Sequence, residues 1–120
     1  MSGPFNEDYW VWQAWVGVVH LNRGVTTEMM ASMWAWIMET VGAGLLEQGV
    51  EAVEAHRVER TLARLEAAFL ALVETTYKKF LVKAVAEGSG LEEGLVLRLA
   101  RQGVEDNIQA WREERKKLGL

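Results

Sequence analysis

The sequence contains no cysteine and only one proline, Pro4, among its 120 residues. Without thiols there is no disulfide, no thiolate nucleophile and no zinc–thiolate centre. Serine is confined to Ser2, Ser32 and Ser89, and none sits in the setting of a nucleophile elbow. Asn22, Arg23, Glu28 and Glu39 interrupt the apolar stretches, so the sequence predicts no membrane span. Met1 to Asp8 is polar and acidic, unlike a secretory leader. A cytoplasmic location is the expectation.

Half of the chain is apolar and a quarter is charged, the balance of a globular domain with a real core. The formal net charge of −4 argues against a nucleic-acid surface. The one basic cluster, Arg112 to Lys117, is broken by Glu113 and Glu114 and reads as a solvated helix end. The carboxylates are spread as solvated helix faces, with no acid–base pair among them. Gly88-Ser89-Gly90 follows no strand, so it is no phosphate loop. No enzymatic activity is expected.

Tryptophan is abundant. Five of the six (Trp10, Trp12, Trp15, Trp34, Trp36) precede residue 37. Indole rings bury large flat areas, so this third of the chain is either a very aromatic core or a surface built for something large and flat.

Helical periodicity dominates, and four helices are expected. Asn6 caps the first, with Glu7 and Asp8 in its first turn; it runs to about Asn22 and stops at Gly24. Thr26 or Thr27 caps the second, whose Met29-to-Leu46 stretch is apolar on almost every face and so is expected to be buried on several sides. The third is expected from about Val50 to Ala86, with Val58, Leu62, Leu65, Phe69, Leu72 and Thr76 as a packing seam. Gly88 ends it, and Ser89 with Glu92 forms a capping box for the fourth. So much apolar surface favours self-association.

His20, near the end of the first helix, carries the chemistry. A haem-ligating imidazole projects from a helix into an apolar slot. Its second nitrogen donates to an acceptor that fixes the ring; here the carbonyl four residues back belongs to Val16. Gly17 removes a side chain where a macrocycle needs clearance, at a cost of about 1 kcal/mol against alanine. Arg23, one turn on, can pair with a propionate. The plain reading competes: His20 as a hydrogen-bonded core residue and Gly17 as a site of close helix packing. His56, among Glu54, Arg57 and Glu59, is expected to face solvent and lacks the ligand count of a metal site. The methionines at 29, 30, 33 and 38 are expected to be flexible core filler, with thioether ligation the rarer use.

Gly3-Pro4-Phe5-Asn6-Glu7-Asp8-Tyr9 followed by Trp15-Val16-Gly17-Val18-Val19-His20-Leu21-Asn22-Arg23-Gly24-Val25 resembles the proximal region of protoglobins and globin-coupled sensors. That family has a Gly-Pro/Tyr-Phe-Asp-like lead-in, a hydrophobic-Gly pair three residues before the proximal histidine, then Gly-Val or Gly-Leu. Leu72-Val73-Glu74-Thr75-Thr76-Tyr77 looks like the end of its last globin helix. The likeness spans about residues 3 to 82, and its specific part is short.

The resemblance implies an all-α, four-helix, globin-like half-domain. Residues 1–120 form a single domain in this reading, with 3–86 the proximal helices and 89–118 a C-terminal helix. It implies a haem cofactor with His20 as iron ligand and Gly17 as its clearance residue. Met30, Met33 and Trp34 approach the pocket, although the aromatic pair often found there is absent. The second and third helices build a homodimer as a helical bundle, and neither nucleic acid nor membrane is a partner. Oxygen or another diatomic gas is the implied sensor ligand.

The family's earlier helices, which supply the distal wall, have no counterpart before Gly3, so no distal residue carries over. Either a second protomer supplies that wall, or haem binding is lost and a dimerising scaffold remains. A pocket for another flat apolar ligand, walled by the tryptophans, is a third reading.

Overall fold

A computed structural model describes residues 5–119 and is all-helical over them. The elements are α1 (Glu7–Asn22), α2 (Thr27–Glu47), α3 (Ala52–Ser89) and α4 (Glu93–Lys117). Gly3 and Pro4, which open the family-like lead-in, lie outside the described residues.

Local chemistry sets the boundaries. The Asn6 side chain accepts the Tyr9 N–H at 2.9 Å, and Phe5 packs edge-on against Trp10 with ring centroids 6.2 Å apart. A capped first turn closed by an aromatic staple results. At the other end Gly24 takes φ +89°. Its N–H donates to the Leu21 carbonyl and that of Val25 to the His20 carbonyl, both at 3.0 Å. These paired bonds form a Schellman turn, which needs a residue free to enter the left-handed region. Thr26 then accepts the Met29 N–H at 3.2 Å and starts α2.

The junction between α3 and α4 differs from expectation. α3 continues through Gly88 to Ser89, and Gly90, at φ +73°, ends it. A mid-helix glycine weakens a helix without stopping it. The Ser89 hydroxyl donates back to the Val85 carbonyl at 2.6 Å and accepts the Leu91 N–H at 3.3 Å, ahead of α4, so it does not cap that helix. Glu92 holds the N-cap position without a side-chain bond.

The chain divides into two compact units, Met1–Tyr77 and Lys78–Leu120. The division falls inside α3. In the second unit Ala86 and Val96 are buried, while Val104, Ile108 and Trp111 of α4 are exposed. The Arg115 guanidinium lies 5.2 Å from the Trp111 ring, a modest cation–π contact.

In the first unit Val73 is wholly enclosed, at 0% exposure. A Cβ built on Gly17 would run into the Val73 side chain. The absent side chain of Gly17 therefore admits α3, and the expectation that it clears space for a macrocycle is corrected: Val73 fills that space. Gly42 makes a similar approach from α2, but there the neighbour is the flexible carboxylate end of Glu59.

The expectation of a deeply buried α2 is also corrected. Only Met30 and Gly42 of that helix are buried. Met29, Met33, Trp36 and Leu46 are exposed, because α1 and α3 cover too narrow a strip of it. By length and composition alone, α2 is apolar enough to cross a bilayer; core helices pass the same test.

Gly17→Ala is expected to destabilise the protein by about 1–3 kcal/mol through overpacking, more than alanine's helix propensity returns. Gly42→Ala is expected to be neutral or stabilising, since the Glu59 carboxylate can swing away. Urea unfolding separates the two, and combining Gly17→Ala with Val73→Ala should cost less than the sum of the single changes. Equal behaviour of the two glycines would contradict this packing.

The carboxyl of Glu28 is held below the ordinary glutamate value by hydrogen bonds from its own backbone N–H and from Thr26. A depressed folded value means the stabilisation is present above the unfolded pKa and fades as pH falls through the folded one. The melting temperature of Glu28→Gln should therefore depend less on pH than that of the parent across the acidic glutamate range. The difference is small because the group is exposed; parallel curves would show no such contribution.

Candidate functional site

The last turn of α1 presents His20. Its Nδ1 lies 2.7 Å from the Val16 carbonyl oxygen. A carbonyl only accepts, so Nδ1 carries the proton in this bond, and in the neutral ring Nε2 keeps its lone pair. The bond reaches back one helical turn and fixes the ring plane. The Schellman turn supports the same residue from below, since the His20 backbone carbonyl accepts from both Arg23 and Val25 at 3.0 Å. The C-terminal end of α1 also carries the negative pole of the helix dipole, which favours a cation beside the ring.

His20 stands at an apolar cleft of about 260 Å³. From α1 it is lined by Gln13, Val16, Gly17 and His20, and from the following turn by Val25. Met29, Met30, Met33 and Trp34 of α2 and Phe69 of α3 complete it. The Trp34 and Phe69 rings lie 6.3 Å apart at 51°, a tilted aromatic pair. Met30 is buried at 5% exposure, whereas Met29 and Met33 stand 58% and 53% exposed. Core filler thus describes Met30 and not its two neighbours.

The structure brings His20, Val16, Gly17, Met30, Met33 and Trp34 together on this one cleft. Arg23 is exposed and does not line it. Trp34 is the one indole in the lining, so walls of several tryptophans are absent from this cleft. Trp12, Trp15 and Trp36 are instead exposed, Trp15 to 62% and Trp36 to 66%. Met29, expected as core filler with thioether ligation the rarer use, lines the cleft, and Phe69 lines it without having been expected there. The i, i+4 spacing of Met29 with Met33 was a usable sign. Nothing local marks Phe69, whose place depends on how α3 docks.

Two alternatives carry less. A hollow of about 560 Å³ runs along α3 beside Ala52, Val53, His56, Arg57, Arg60, Thr61 and Arg64. All of its lining comes from one helix, and Arg57 already pairs with Glu54 at 3.2 Å. His56 is exposed and stands 3.5 Å from Glu59. Among the described residues no group of three or more His, Cys, Asp or Glu could hold a metal ion.

A haem needs one protein ligand, so it does not require such a group. The fixed imidazole, the free Nε2 and the apolar walls suit one. The volume sets a limit, because pockets that enclose a ligand span about 300–1,000 Å³. At about 260 Å³ the cleft is too small to enclose a macrocycle. Comparison with known proteins returned no matching family model, no matching curated protein and no matching solved structure.

Proposed function

We propose that this chain forms the proximal wall of a haem site in a globin-like gas-sensor domain, with His20 as the axial ligand. One observation carries the reading: the Nδ1 contact to the Val16 carbonyl at the mouth of an apolar cleft, which leaves Nε2 free. The bond fixes the ring, as a ligating histidine requires. Met30, Met33 and Trp34 supply apolar surface to the same face. Arg23 lies outside the cleft and remains available to a propionate at its rim. The likeness of the His20 segment to protoglobins supports the same assignment. Bound iron would supply the gas-binding chemistry; the chain's own part is to ligate, orient and shield one face.

In this reading a second copy covers the opposite face, through a bundle that includes α2 and α3. The exposed Met33, Trp36 and Leu46 of α2 and Val58 of α3 support it, because a stripe of large apolar side chains on a soluble domain marks a contact surface. A cofactor-free dimerisation module is the second reading, favoured by the filling of the Gly17 gap by Val73.

Hemin titrated into the purified protein should give a sharp Soret band saturating near one per chain. His20→Ala should weaken binding at least about tenfold, or roughly 1.4 kcal/mol. An alanine variant that binds hemin as well as the parent removes His20 as ligand and leaves the cofactor-free reading.

Light scattering coupled to size exclusion should return twice the chain mass, and Trp36→Glu should shift it toward the monomer. A monomer at all concentrations contradicts the bundle.

A further inference from the structure

We propose that the cleft also holds a soft monovalent metal ion, Cu(I), bound by Nε2 of His20 and the thioethers of Met29, Met33 and Met30. The proposal shares His20, Met30 and Met33 with the haem reading and does not rest on it.

Four potential ligands of the same chemical character line one small cleft: one imidazole and three thioethers. Thioether sulfur is a poor ligand for hard or borderline cations and a good one for Cu(I), and imidazole accepts the same ion. Carboxylates, which would draw calcium or magnesium, are absent from the lining.

Spacing allows chelation. Met29 and Met33 are separated by one helical turn, which puts their Cβ atoms about 5–6 Å apart. Side chains at i and i+4 on one helix face hold a single metal in other proteins, and the long, flexible methionine stem can close the remaining gap. Met30 and Met33, at i and i+3, also share a face. Met30 forms the buried side of the group and Met29 and Met33 the open side, so an ion can enter from solvent and end against the cleft floor.

Met29 and Met33 are 58% and 53% exposed, so their side chains are open to an ion arriving from solvent. Two further features favour a cation. The C-terminal end of α1 contributes its negative pole, and the Trp34 ring in the lining offers a π face.

The test is an anaerobic titration of Cu(I), kept reduced with ascorbate, against a chromogenic Cu(I) chelator. One Cu(I) per chain should transfer to the protein and quench tryptophan fluorescence. Met29→Leu combined with Met33→Leu should weaken Cu(I) binding at least tenfold. The readout is transfer of Cu(I) itself, so a chain that fails to bind hemin leaves this proposal standing. Leucine conserves volume at two exposed positions, and far-UV circular dichroism checks that the variant folds. Met38→Leu, away from the cleft lining, should bind copper like the parent. Copper left entirely with the chelator overturns the proposal. So does a double-leucine variant that takes up copper as the parent does, or equal affinity for Zn(II).

Discussion

The meeting of Gly17 with Val73 sets the geometry of the first unit. A backbone without a side chain lets α1 approach α3 closely enough to enclose Val73 completely. That approach fixes the height of His20, one turn along α1, above Phe69 on α3. The cleft is lined by residues of all three helices of this unit, with Met30 and Trp34 among those from α2. A larger residue at position 17 would lift α1 and open the floor; a smaller one at 73 would let it collapse. The glycine that seemed to make room for a ligand makes room for a helix, and the ligand space is its by-product.

The same narrow contact explains the exposed surface. Among the described residues the buried apolar side chains are mostly small: Ala14, Ala55, Val73, Ala86 and Val96, with Met30 the largest. Burial of a full-sized apolar side chain contributes about 1.5–3 kcal/mol. Trp12, Trp15 and Trp36 each leave more than half of their surface uncovered in the single chain. A protein with this distribution has much to gain from covering its aromatic face and little core to lose.

Helix boundaries governed by local chemistry were legible. Asn6, Thr26 and Gly24 act where their side chains, or the lack of one, indicated. The bond from His20 to the Val16 carbonyl was legible for the same reason, being made within a single turn. The α3 terminus was not. Gly88 and Ser89 carry stop and cap signals, but the hydroxyl found the Val85 carbonyl and the helix ran on to Gly90. Burial of α2 was misjudged because an all-round apolar pattern states what a helix could bury, while the number of neighbours decides what it does bury. Phe69 belongs to the site through tertiary docking alone, which no spacing within α3 encodes.

The cleft then poses a question of selectivity. One imidazole nitrogen serves either an iron porphyrin or a bare soft ion, since both need Nε2. What differs is the use of the sulfurs. For a flat macrocycle, Met29 and Met33 are apolar surface, and any side chain of similar volume would serve. For Cu(I) they are donors, and only sulfur serves. The small volume of about 260 Å³ favours the compact ion within one chain, whereas a macrocycle needs a second wall. On the two proposed uses, the ion would need only the single chain, whereas haem would need the assembly.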